Sequence, residues 1–402
     1  MKKSLIAMLA LSSFAIAESS SIEEAFKNGK MSGDVSVYYE SRHANKVEKR
    51  KYYQNTAWAV GNIGINYETD YYKNFKLVGG LRASLPAYEK DKNIKTDHGT
   101  GDSTERFYED YKYNLSKLYL EYNANDTVIK LGRQDIYSDW ITKVMDGATI
   151  VNNSIENLTL DALWARARGS VRINEMTKIK RVNGGRGLFG VGATYSFENG
   201  LAFRAYENYM DNALSVFGGK IMYDGKLNEN VGFGGKLHYA KIDEKGRYLD
   251  QDKRVGVYKD GDGDVFEGIA YVSYNDTKFT LGYVAADKQS GWGTLKGQNY
   301  VGDTIVQFEE GDAMYTNDAK TVYAMLSTNI QKLSVAGIIG TTNYVAMKDN
   351  KNKKYKQSEF SAWLGYPLTE SLSASLKFDK TFGDYENIPT MTQVSAGLTY
   401  KF

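Results

Sequence analysis

From Val394 to Phe402 the chain alternates without a break: Val394, Ala396, Leu398, Tyr400 and Phe402 are apolar, and Ser395, Gly397, Thr399 and Lys401 stand between them. A period of two puts successive side chains on opposite faces of an extended strand, so one face suits lipid and the other water. Leu372, Ala374, Leu376 and Phe378 repeat the pattern against Ser373, Ser375, Lys377 and Asp379. So do Phe360, Ala362, Leu364 and Tyr366, and the turn Pro367 to Glu370 joins the two runs. Similar runs end in Tyr67, Leu85, Phe197 and Tyr239, and many reach about 10 to 12 residues. Strands of a soluble sandwich are nearer about 5 or 6 residues, whereas a tilted membrane-spanning strand needs roughly 9 to 11. The length of the runs therefore favours a transmembrane sheet.

Composition agrees. The chain has 39 Gly, 32 Tyr and 16 Phe but only 3 Pro, and it has no Cys, so backbone pairing and burial must hold it without disulfides. Lys2 and Lys3, the apolar run Leu5 to Leu11 and the small residues Ala15 and Ala17 describe a cleavable secretory leader over residues 1–17. No later stretch is apolar for the roughly 18 residues a membrane helix requires. The full chain carries 51 Lys and Arg against 49 Asp and Glu, and loss of Lys2 and Lys3 would leave it neutral. Charge thus indicates no nucleic-acid partner.

Short links near 69–74, 123–127, 198–200, 225–230, 275–278, 329–332 and 367–371 alternate with mostly long polar segments. That rhythm belongs to barrels with short periplasmic turns and long extracellular loops. Direct reading gives 17 strands, but the up and down order then fails between residues 157 and 198. Ser170 to Ile179 can supply the missing strand, with Val171 and Ile173 outward and Arg172 and Asn174 inward, and a bulge near Ala165 would change the facing. The expectation is an all-β, antiparallel transmembrane barrel of 18 strands over residues 33–402, preceded by a periplasmic segment, 18–32. Unpaired edges are too costly in lipid, so the sheet must close, and at that width it encloses water.

Ser21 to Phe26, followed by Met31-Ser32-Gly33, resembles the mature start of the porins of Campylobacter-type bacteria. Leu131 to Gln134, Met145 to Gly147 and Val151 to Leu160 resemble the region around the constriction loop of the Campylobacter major outer membrane porin family, and more distantly that of the substrate-specific porins of pseudomonads. Tyr400 and Phe402 are similar to the C-terminal signal read by the outer-membrane assembly machinery. The resemblance implies a homotrimeric porin, not an enzyme, in the outer membrane of a Gram-negative bacterium, passing ions and small hydrophilic solutes. It also implies a third loop folded inward at about 135–156 and a calcium ligand at Asp146. The family's other ligand positions fall where this chain reads Arg166 to Arg172, and Glu175 is the nearby acid that could substitute.

Residues 135–156 carry Asp135, Asp139, Asp146 and Glu156 against Lys143. Folded inward, these acids would face the wall cations Arg82, Lys117, Lys130, Arg172, Arg204 and Lys236, and the field between them would orient polar solutes. An exposed acidic loop with solvated lumen charges is the alternative. Gly190, Gly192, Gly232 and Gly234 fall on inner faces and would leave the lumen open or mark bends. Asp260, Asp262 and Asp264 alternate with glycines, but the sixth and twelfth positions of an EF-hand are Val265 and Tyr271 here. His43, His98 and His238 have no zinc spacing, Gly184 to Gly187 lacks a phosphate-loop ending, and no nucleophile motif stands out. A competing function is a surface adhesin or receptor barrel acting through its long loops, 87–114 and 287–319.

Overall fold

Each long alternating run becomes a strand hydrogen-bonded to the next in sequence. The computed structural model describes residues 18–45, 55–244, 262–288, 308, 311–315, 318–348, 351–383 and 390–402. The expected leader and the Asp260-Gly261 pair lie outside the described residues, as does most of 287–319. Eighteen long strands form the wall. They are β1 (Lys30–Ala44), β2 (Thr56–Glu68), β3 (Phe75–Glu89), β4 (Tyr113–Ala124), β5 (Thr127–Ser138), β6 (Ile141–Ile155), β7 (Leu158–Gly169), β8 (Leu188–Ser196) and β9 (Leu201–Met210). They continue as β10 (Leu214–Lys226), β11 (Val231–Glu244), β12 (Asp262–Tyr274), β13 (Thr277–Ala286), β14 (Lys320–Ile330), β15 (Leu333–Lys348), β16 (Lys351–Pro367), β17 (Leu372–Phe382) and β18 (Met391–Lys401). All neighbours are antiparallel, and β1 pairs with β18 from Asp34↔Lys401 to Ala44↔Met391, which closes the barrel.

Burial is inverted relative to a soluble protein. Val35, Val37, Ile63, Leu118, Phe203, Ile221, Leu326 and Leu398 are exposed, while Ser36, Asn62, Glu121, Gln357, Asp379 and Gln393 are buried. An exposed apolar belt around a polar interior fits lipid outside and water within. No helix among the described residues is long and apolar enough to cross a membrane, which says nothing against strands. Before β1, a short helix α1 (Ile22–Lys27) starts where Ser21 Oγ accepts from the Glu24 N–H, and it tucks under the first turn, Asp70 N–H donating to Ala25 O at 2.9 Å. Bulges absorb irregularities. Pro86, which cannot donate to a ladder, sits where β2 and β3 slip by one residue.

The eighteenth strand is not where the alternation places it. Ser170 to Ile179 is no wall strand: Val171 and Arg172 pair with Met176 and Glu175 in a small hairpin, and Val171 is buried inside the barrel instead of facing out. The missing strand is β6, within the segment expected to be an inward loop, and it pairs with β5 and β7. Its upper part is covered on both faces, with Val144 and Met145 both buried, so its sequence does not alternate. Arg166 is the extra residue of a bulge in β7, since Asp146 pairs with Ala167 and Gly147 with Ala165. The facing of that strand changes there.

Candidate functional site

Two segments leave the wall and enter the lumen. The first is the end of the β5–β6 hairpin. β5 pairs with β4 only from Thr127 to Arg133, but with β6 all the way to Ser138↔Ile141. The two strands therefore turn inward together. Gly132 makes the departure: its φ is +128°, and a Cβ there would lie 2.2 Å from Leu118 O.

The hairpin ends on Asp139 and Trp140, docked against the inner faces of β9, β10 and β11. Asp139 Oδ2 accepts from Arg204 Nε at 2.7 Å, and Oδ1 accepts from Lys220 Nζ. Arg204 also grips both oxygens of Asp161 on β7, at 2.6 and 3.0 Å. Trp140, 1% exposed, takes a positive φ of 62°, a conformation uncommon for a bulky residue. Its Nε1 donates to Tyr206 Oη at 2.6 Å, and Tyr206 Oη lies 2.7 Å from His238 Nε2. Beside them Lys236 pairs with the fully buried Glu267 at 2.8 Å. The inner-face glycines make room for this assembly. A Cβ at Gly192 would lie 2.4 Å from Arg204 Nη2, and one at Gly190 2.5 Å from Asn208 Oδ1.

The second segment, 170–187, carries the small hairpin with its tip at Ile173 and Asn174. Asn62 Nδ2 on β2 donates to Ile173 O at 3.0 Å, and Lys143 on β6 donates to both Glu175 oxygens at 3.1 and 3.0 Å. Val171 and Met176 join Trp58, Val60, Phe107 and Val144 in one apolar cluster. The two segments together make a layer reaching from β1 and β2 on one side to β9–β11 on the other. Ala313, Met314 and Tyr315, from the segment before β14, complete a second apolar cluster around Trp140. Among the described residues, a cavity of about 520 Å3 lies beside the layer, between Asn174 and the wall from β14 to β18 and β1.

The segment between β3 and β4 closes over the layer. Glu105 there meets Arg42 Nη1 at 3.1 Å, and burial pushes the Glu105 carboxyl up to about 7 against the opposing pull of Arg42 and Arg106. Its protonated form thus favours docking, which should be strongest below the ordinary carboxyl range and weaken as pH rises through about 7. Amide exchange across 102–111, corrected for intrinsic rates, should be faster at about pH 8 than at about pH 5. Glu105→Gln should flatten that difference. Equal protection of the unmodified protein at both pH values would show that this carboxyl does not control the segment.

The sequence-selected residues divide into local pairs. Asp139 is brought to Arg204, whereas Asp135 meets Lys117 at 3.6 Å and Asp146 is held by Arg133 at 2.5 and 2.8 Å. Arg82 binds Asp34, and Lys130 lies 3.4 Å from Glu121. Arg172 belongs to the inserted hairpin, not the wall. Tyr400 on β18 and Phe402 just beyond its end are exposed on the outer face. Asp34, Asp161, Lys220, Glu267 and Trp140 were not singled out from the sequence, although parity marks Asp161, Lys220 and Glu267 as inward once their strands are placed. A calcium ion at Asp146 does not fit this arrangement. Both Asp146 oxygens are engaged by Arg133 and both Glu175 oxygens by Lys143, and the described residues hold no cluster of three or more acids, His or Cys able to bind a metal.

The description of the Campylobacter major outer membrane protein family matches residues 1–396. No curated protein matches the chain. Among solved structures, it is similar to OccAB3 of Acinetobacter baumannii, with a TM-score of 0.72 at 14% identity over 94% of this chain and 99% of that one. OpdQ of Pseudomonas aeruginosa gives 0.70 at 12% identity, and OpdK of the same organism, solved with vanillate, gives 0.69 at 13%, each over 94% of this chain and 99% of the other. At such identities the likeness concerns the fold, and it is the family match over nearly the whole length that carries function. With its closed barrel, apolar belt and polar lumen, the chain belongs to the Campylobacter major outer membrane protein family and is a porin of the outer membrane.

Proposed function

We propose that ions and small hydrophilic solutes diffuse passively through the space left beside the inward layer, and that the layer sets the pore's width more than its charge preference. The carrying observation is the pairing of lumen charges. Arg82 with Asp34, Arg133 with Asp146, Arg204 with Asp139 and Asp161, and Lys236 with Glu267 are all in contact. A contact pair projects only a short-range dipole, so little net field is left to select by sign. The same pairing supports a channel over an enzyme, because the strong acids and bases are engaged with one another. Assembly as a homotrimer, with the outward Tyr400 and Phe402 recognised by the assembly machinery, completes the proposal.

Purified protein in planar bilayers should give stepwise KCl conductance with only weak preference between cation and anion. A silent membrane would sink the channel reading. A strong preference for either ion would show instead that unpaired charge governs passage.

A further inference from the structure

The cavity beside Asn174 has a wall of its own chemistry. Trp363 on β16 is half-buried, with Lys377 of β17 5.7 Å from its ring centre and Ala336, its partner on β15, too small to cover it. Tyr38 on β1 supplies a second ring, fixed by Trp58 at 5.6 Å and by donation from its hydroxyl to Glu40 at 3.2 Å. Between the two rings the inward residues apart from Lys377 are small: Gly365, Ser375, Ser395 and Gly397. They hollow the wall and present hydroxyls. Acids outnumber bases here by one. Lys377 Nζ lies 3.1 Å from Asp379 Oδ1, and Asp276 lines the same cavity, so an anionic solute finds no net attraction.

We propose that this recess is a binding subsite for neutral polyhydroxylated rings, the class of mono- and disaccharides, and that they cross the narrow zone along it. The inference rests on the channel reading. A pyranose has an apolar C–H face that can lie on an aromatic ring and an equatorial rim of hydroxyls that can exchange hydrogen bonds with Ser375, Ser395 and Asn174. A cavity lined by aromatic rings with a few placed polar groups is the usual form of a small-molecule site. The flat ring supplies contact area, while the excess of acid gives an anionic solute no attraction.

The test uses the full-length protein in planar bilayers with maltose as the probe and KCl carrying the current. Maltose should interrupt the current in a dose-dependent way, and citrate at equal ionic strength should not. Trp363→Ala should weaken the maltose block at least about fivefold while still conducting, and Trp363→Phe should retain most of it. If the alanine variant fails to insert, Trp363→Leu, apolar but not flat, serves the same comparison. KCl steps that maltose never interrupts would overturn the subsite and leave the channel standing. So would a block unaffected by loss of the ring, or one produced by citrate and not by maltose. Absence of KCl steps in the unmodified protein would overturn both.

Discussion

Replacing Asp139 by Ala is expected to release the β5–β6 hairpin from the wall, raising single-channel conductance and current noise and moving the reversal potential toward anions. Asp139 is 4% exposed and is shared by Arg204 and Lys220. Arg204 keeps Asp161 after the substitution, but Lys220 loses the carboxylate it is paired with. Removing one member of a buried pair costs about 3–5 kcal/mol, chiefly because the other charge stays buried without compensation. A loss of about 3 kcal/mol shifts the balance between docked and released hairpin by roughly two orders of magnitude. Lumen cations freed from neutralisation then attract anions. Unchanged conductance and reversal potential under a KCl gradient would mean that the docked hairpin does not need this contact.

Trp140→Ala should raise conductance and noise in the same way but leave the reversal potential where it was. The indole fills the space between Tyr206, His238 and Tyr315, with ring centres 5.4 Å from His238 and 5.9 Å from Tyr315. Truncating a buried aromatic to Ala costs about 3–5 kcal/mol in lost contact and cavity. No charge changes. Comparing the two variants therefore separates width from sign, and a shift of reversal potential in Trp140→Ala would contradict the account of selectivity given above.

Most of the wall was legible because lipid on one face and water on the other force a period of two. That rule holds only while a strand has two different environments. β6 breaks it where the strand passes into the lumen and is covered on both faces, as at Val144 and Met145. Residues 171–174 obey the period without being wall, because a small hairpin also has two faces, one on Trp58 and Phe107 and the other carrying Arg172 and Glu175 toward Lys143. The count of eighteen was right by topology while the identity of one strand was not. The charged partners were harder to foresee. Asp139 was visible as an acid in a turn, but its partners lie 65 and 81 residues away, and only the path taken at Gly132 brings them together.

The seam between β1 and β18 joins Asp34 to Lys401, and the Gly33 amide exchanges hydrogen bonds with Phe402. β1 is thus bonded to β18, across the whole length of the barrel sequence. Until β18 arrives, β1 presents an open ladder, so closure waits on the contact most distant in sequence and leaves an edge exposed meanwhile. With β18 absent, β1 and β17 would carry raw edges into a medium with nothing to satisfy them, and stable insertion is thereby conditional on β18.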